Sequence, residues 1–269
     1  MDGTIFRGRA GALATLHDEF ERGERLVTVL GAAGMGKTAL ARRFAYGAPQ
    51  LFASSLGEGT PVAWCDCALA TSEEHFTRAL AASLGAPTGP SPYASSSPAV
   101  DRLADALTLR GSLLLVLDHL AVPAVARTVV EHLHATCREL RVVTTGRTAA
   151  GFEAEVTLAL EGVTAAEGVE LWSLFEGARA PAPIVEAVVA RLGANPLALE
   201  LFARVDARDP LERRLEALGA APLPLDEVLA RVWATLRPRE QRCLAEATVF
   251  AESFSLESAE AVLSVAAGS

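Results

Sequence analysis

Gly31-Ala32-Ala33-Gly34-Met35-Gly36-Lys37-Thr38 satisfies G-x-x-x-x-G-K-[ST], and its flanks give the pattern meaning. Leu26-Val27-Thr28-Val29-Leu30 before it reads as a short buried strand, and Leu40 and Phe44 after it recur at helical spacing. Strand, glycine loop and helix in that order make a phosphate-binding loop. The glycines let successive backbone N–H groups converge on phosphate oxygens, and the helix N-terminus adds partial positive charge. Lys37 is placed to bridge the β and γ phosphates, and the Thr38 hydroxyl to hold Mg2+. Ala33, Gly34, Met35, Gly36, Lys37, Thr38 and Ala39 are therefore the candidate nucleotide-binding residues of this loop.

Outward from the loop, strand and helix signals alternate. Leu13, Leu16 and Phe20 predict a helix before the first strand, and Val62 to Cys67 a second strand. Thr71-x-x-Glu74 reads as a capping box opening a helix through Phe76, Leu80 and Leu84. Pro87 to Pro98, rich in Pro, Ser and Gly, is expected to be a surface loop. Leu103 and Leu107 mark a helix leading into Leu113-Leu114-Leu115-Val116-Leu117, which has the unbroken apolar character of a central parallel strand. Val125, Val129 and Leu133 give another helix, Arg141 to Thr145 a fourth strand and Glu155 to Leu160 an edge strand. The expected class is α/β, a P-loop NTPase parallel sheet with helices on both faces.

From Thr164 the strand signals stop. Thr164-x-x-Glu167 is a second capping box, with helices through Phe175, Ile184 to Leu192 and Pro196 to Val205. Leu225, Val228, Leu229, Val232, Trp233 and Leu236 form an amphipathic stripe, Pro238 starts a further helix, and Ser255 caps a third. The expected division is a nucleotide-binding domain over 1–162, a helical domain over 163–221 and a winged-helix-like helical domain over 222–269 that breaks off at Ser269.

Composition sets limits. In 269 residues, 24 Lys and Arg against 33 Asp and Glu give a net charge of −9, which argues against a broad nucleic-acid-binding surface. The start, Met1-Asp2-Gly3-Thr4, lacks a signal-peptide pattern and the apolar runs are too short to span a bilayer, so the expectation is a cytoplasmic protein without membrane contact. Lys37 is the sole lysine and Asn195 the sole asparagine. With arginine filling the generic cationic role, a position that keeps lysine or asparagine points to a need for its particular chemistry. Of the four cysteines, Cys65 and Cys67 form a C-x-C with no second pair at zinc-site spacing; reduced, largely buried thiols are expected.

The remaining site candidates sit at strand ends. Asp118 closes the Leu113 strand, where a phosphate-binding sheet places the carboxylate beside its metal, the Walker B position; Thr38 and Asp118 are the candidate metal residues. His119 follows, where hydrolases carry a second acidic residue that activates water, and this weakens a hydrolase reading. Arg147, in Thr144-Thr145-Gly146-Arg147, ends the fourth strand and is placed to approach the γ-phosphate. Lys37, Asp118 and Arg147 are the candidate catalytic residues.

These residues resemble the STAND class (NB-ARC-like) of P-loop signal-transduction ATPases, especially the nucleotide-binding module of bacterial LuxR-type and antibiotic-regulatory-type transcriptional regulators. Phe6-Arg7-Gly8-Arg9 is similar to the family's Phe-Val-Gly-Arg motif, with Arg7 for the usual valine and Ala10 for the usual glutamate; the resemblance implies adenine contacts from Phe6, Gly8 and Arg9. Gly193-Ala194-Asn195-Pro196-Leu197-Ala198-Leu199 is similar to Gly-Asn-Pro-Leu-Ala-Leu with Ala194 inserted, which implies a base or ribose contact from Pro196, with Leu197 beside it. Thr145-Gly146-Arg147 is similar to the family's Thr-Ser-Arg sensor, and the helices after Leu225 to the start of its winged-helix domain.

The resemblance implies an ATP/ADP-binding switch of a signalling or transcriptional regulator. It would open and self-associate, or meet a signalling partner through its helical domains, with slow Mg2+-dependent hydrolysis at most. No direct DNA-binding element is evident in the sequence. Two alternatives stand beside it: an AAA+-like ATPase of the initiator or clamp-loader type, and a degenerate nucleotide-binding interaction module.

Overall fold

Five apolar runs pair as one parallel sheet in the computed structural model, which describes residues 8–47, 60–85, 99–176, 180–205, 209–250 and 255–263. The strands are β1 (Leu26–Leu30), β2 (Val62–Asp66), β3 (Leu113–Asp118), β4 (Leu140–Gly146) and β5 (Val156–Ala159), in the order β2-β3-β4-β1-β5. All four pairings are parallel. Parallel strands are covered on both faces, which is why β3 is buried along its whole length and apolar up to Asp118. The expected parallel α/β sheet is the one observed.

Helices α1 (Ala10–Glu21), α2 (Lys37–Tyr46), α3 (Glu73–Ser83), α4 (Ala99–Arg110) and α5 (Arg127–Thr136) supply the two layers. Alternation along β3 divides the core between them. Leu115 and Leu117 join Phe76 and Leu80 of α3, Leu103 of α4 and Leu133 of α5, whereas Leu114 and Val116 join Leu16 and Phe20 of α1 with Leu40 and Phe44 of α2. The chain runs from β1 to the β2 edge and returns through β3 and β4 to lie beside β1 again. That reversal opens a crevice beyond the carboxyl ends of β1, β3 and β4, the place where open α/β sheets bind ligands.

Local chemistry sets the helix starts, with small departures from the sequence reading. The cap of α3 is Ser72, whose hydroxyl accepts the His75 N–H at 3.2 Å, one residue after the expected Thr71. Thr71 instead faces the His75 ring, with Oγ1 3.3 Å from Nδ1. Val125 lies in a short 3-10 turn, Pro123–Val125, ahead of α5. The expected loop over Pro87 to Pro98 falls outside the described residues.

The chain divides into two units, Met1–Val163 and Thr164–Ser269. The second contains α6 (Ala165–Glu176), α7 (Ala182–Arg191), α8 (Pro196–Arg204), α9 (Leu211–Leu218), α10 (Leu225–Thr235), α11 (Pro238–Ala247) and α12 (Leu256–Val262). The second capping box is formed, with Thr164 N–H reaching Glu167 Oε2 at 2.9 Å and Glu167 N–H reaching Thr164 Oγ1 at 3.2 Å. Trp172 of α6 and Val188 and Leu192 of the α7 region are buried, and a Cβ at Gly168 would run into Val189, so glycine lets α6 and α7 meet closely. The α10 stripe is less covered than its pattern implies: Val228 is buried, but Leu229 and Trp233 are 42% and 44% exposed. No helix among the described residues is long and apolar enough to cross a membrane.

Candidate phosphate-binding site

The loop after β1 bends through two left-handed glycines, Gly34 at φ 78° and Gly36 at φ 86°, a region that side chains with a Cβ rarely adopt. Gly31 is needed for a different reason, since a Cβ there would lie 2.7 Å from the Leu160 carbonyl oxygen. Gly36 then stands immediately before α2, with Lys37, Thr38 and Ala39 in the helix's first turn. Ala33 is exposed at the loop's turn, and Met35 N–H bonds back to the Ala32 carbonyl at 3.4 Å. The Lys37 ammonium donates to the carbonyls of Gly31 at 2.8 Å and Ala32 at 2.9 Å. Burial, and then the nearby Arg147 guanidinium, hold Lys37 below its ordinary pKa, while Asp118 pulls the other way. A second anionic group would relieve this cationic site.

Thr38, Asp118 and the end of β4 meet across the crevice. Thr38 Oγ1 donates to Asp118 Oδ1 at 2.9 Å, and Thr145 Oγ1 donates to the same oxygen at 2.5 Å. Asp118 is 2% exposed, its carboxylate held from α2 by Thr38 and from β4 by Thr145, while its backbone carbonyl accepts Cys67 N–H at 2.7 Å just after β2. A hydroxyl and a carboxylate within hydrogen-bond reach are the hard oxygen donors that Mg2+ takes beside nucleotide phosphates, so this pair fits such an ion. Arg147 lies just beyond β4, exposed, with its charge felt at Lys37. Lys37, Thr38, Asp118 and Arg147 thus come to one end of the sheet.

The other candidates distribute differently. Gly8 and Arg9 precede α1 with φ of 69° and 61°. Arg9 donates to the carbonyls of Met35 at 3.1 Å and Gly162 at 3.3 Å, tying the start of the chain to the phosphate loop. Phe6 lies outside the described residues. Pro196 and Leu197 open α8 in the second unit, where Asn195 Oδ1 caps the helix by accepting Leu197 N–H at 3.0 Å and Ala198 N–H at 3.2 Å.

Two residues that sequence reasoning left out belong to the site. Asp66, at the end of β2, is the register partner of Asp118 and places its Oδ1 3.5 Å from His119 Nδ1. Thr145 supplies the hydroxyl that holds Asp118. The signal for Thr145 was its place two residues before Arg147; Asp66 carried none beyond being a carboxylate at a strand end.

Among known proteins, the AAA domain family profile matches residues 20–147. No curated protein matches the chain in sequence. Of solved structures, a STAND protein with a tetratricopeptide repeat sensor from Pyrococcus horikoshii is similar over 96% of this chain, with 16% identity and a TM-score of 0.64. The present chain spans 36% of that protein's length. The ORC1 protein of Aeropyrum pernix, solved in complex with DNA, is similar over 96% of this chain and 82% of its own, with 19% identity and a TM-score of 0.53. A Walker-type ATPase of Pyrococcus abyssi covers 79% of this chain and 71% of its own, at 15% identity and a TM-score of 0.55. At these identities the likeness is one of fold, a P-loop NTPase-type parallel α/β sheet followed by helical elements.

Proposed function

We propose that the chain is the ATP/ADP-binding switch of a signalling or transcriptional regulator. The observation that carries the reading is the meeting of Lys37, Thr38 and Asp118 at one sheet end with the Arg147 charge beside them. In this reading the loop N–H groups and Lys37 hold the phosphates, Thr38 and Asp118 hold Mg2+, and Arg147 senses the γ-phosphate. Binding would free the Lys37 ammonium from the loop carbonyls it now occupies. The bound metal supplies charge neutralisation at the phosphates. With a histidine following Asp118 in place of a second carboxylate, hydrolysis is slow and resets the switch. Gly8, Arg9 and Phe6 are proposed to contact the adenosine. Self-association, or a signalling partner met through the helical elements, is the proposed output, in a cytoplasmic setting.

The test is thermal unfolding with Mg2+ and ATP, ADP or GTP. At a hundredfold excess over Kd, linkage contributes ~2.7 kcal/mol and raises the midpoint by roughly 5–10 °C. An adenine-specific shift that disappears in Lys37→Ala is expected. No shift, with no ADP released on denaturing extraction, would leave the degenerate-module reading in its place.

A second reading, an initiator-type ATPase acting on DNA, draws support from the likeness to ORC1 over most of both chains. The net charge of −9 and His119 weigh against it. Turnover strongly stimulated by DNA would favour it.

A further inference from the structure

Arg9 stands where the phosphate loop and the last stretch of the sheet come together. Its φ of 61°, after Gly8 at 69°, lies in the left-handed region, which a residue with a Cβ adopts only at a cost. From that turn the half-buried guanidinium reaches two backbone carbonyls far apart in the chain: Nη2 donates to Met35 at 3.1 Å and Nη1 to Gly162 at 3.3 Å. A planar fork can serve two acceptors at once, which the point charge of an ammonium does less well.

The Met35 contact orients a donor of the loop. The Met35–Gly36 peptide is trans, so the Met35 carbonyl and the Gly36 N–H project to opposite sides of the chain. A guanidinium that draws the Met35 oxygen to itself therefore turns the Gly36 N–H away, and no backbone carbonyl among the described residues takes that N–H. It is left for a phosphate at the start of α2.

The Gly162 contact ties the same loop to the chain as it leaves the sheet. Leu160 N–H donates to the Leu30 carbonyl at 2.7 Å, and the Leu160 carbonyl lies where a Cβ on Gly31 would meet it at 2.7 Å. Residues 160–162 thus rest on the beginning of the loop directly and on its end through Arg9. Val163, the next residue, is the last of the first unit. The Lys37 ammonium now lies on the Gly31 and Ala32 carbonyls, so a phosphate that draws it off changes the loop's hydrogen bonding beside Leu160.

We propose that Arg9 is a positioning residue with two tasks: it sets the Met35–Gly36 peptide for phosphate binding, and it carries the occupancy of the loop to residues 160–164, which lead into the second unit. This rests on the reading of the loop as a nucleotide site and adds the route by which binding is felt outside it.

Amide hydrogen exchange on the full chain, stripped of nucleotide and then saturated with Mg2+ and ADP, reads both tasks. In the wild type, ADP is expected to slow exchange over residues 31–39 and over 160–164. In Arg9→Met, saturating ADP should still protect 31–39, with an affinity lower by about tenfold, and leave 160–164 unchanged. Arg9→Lys, which keeps the charge without the fork, should recover part of the affinity and none of the response at 160–164. Inorganic pyrophosphate separates this role from a contact with the base, because it meets the loop and has no adenosine: Arg9→Met should weaken it by the same factor as ADP. Wild-type protection confined to 31–39, a response at 160–164 that persists in Arg9→Met, or a loss of ADP affinity with pyrophosphate unaffected would each overturn the proposal and leave the nucleotide reading standing. No protection of 31–39 by ADP in the wild type would overturn both.

Discussion

His17 faces inward from α1, 4% exposed, with its ring centroid 4.6 Å from that of Phe44 on α2. Burial pushes its pKa from 6.5 down to about 4, against the opposing pull of Glu21 and Asp18. The native state thus prefers the neutral ring, and the unfolded chain takes up the proton first as pH falls. Stability should drop as pH is lowered from about 6.5 towards 4, with no contribution from this group above that window and no further loss below it. His134, also lowered by burial and then by Arg25, adds in the same direction. Urea midpoints measured across the window should flatten in His17→Leu; an unchanged slope would assign the loss to other groups. At this scale the sequence is uneven as a guide. Gly34, Gly36 and Lys37 are legible because a phosphate loop is local, and Asp118 because it ends an apolar run. Asp66 is not, because its partnership with Asp118 and His119 depends on the register of β2 against β3, a contact between residues far apart in the chain.

Asn195 shows how one side chain can fix an element. Its Oδ1 satisfies two of the otherwise unpaired N–H groups at the start of α8, and Pro196 at the first helical position has no N–H to satisfy. Asn195→Ala should therefore cost about 1 kcal/mol in chemical denaturation, with Asn195→Asp retaining most of the cap. Equal midpoints for wild type and the alanine variant would show that the cap is energetically idle. The elements were legible where pattern and burial agree, as in the alternation across β3 or the inward Leu13, Leu16 and Phe20 of α1. They were missed where a polar residue takes an inner position. Helix α9 escaped sequence reading because Arg214 lies on its buried side between Leu211 and Leu218, 6% exposed. Its guanidinium donates to the Phe202 carbonyl and stands 4.7 Å from the Phe202 ring centroid and 5.9 Å from that of Trp172. A cation stacked on aromatic rings looks, in sequence, like a solvated one.

For the whole molecule, a switch requires that ATP and ADP differ in their affinity for two conformations, because a nucleotide that binds both equally moves nothing. The two nucleotides differ by the γ-phosphate, so the discriminating group must reach that phosphate and be dispensable for the rest of the ligand. Arg147 fits this description among the described residues: it stands beyond β4, its charge is felt at Lys37, and it is exposed, with no part in the core. Its planar fork suits phosphate oxygens in a way the compact lysine ammonium does not. Arg147→Ala is therefore expected to keep the thermal shift with ADP and to lose the distinction between ATP and ADP in limited proteolysis and sedimentation, the two readouts of opening and self-association. Arg147→Lys, which retains the charge and loses the fork, should recover little of it. If wild-type protein gives the same cleavage pattern and sedimentation coefficient with both nucleotides, the chain binds nucleotide without switching, and the γ-phosphate carries no signal through this segment. If the wild type distinguishes them and Arg147→Ala still does, the sensor is elsewhere at the same sheet end, and Thr145, which holds Asp118 from β4, becomes the residue to substitute next.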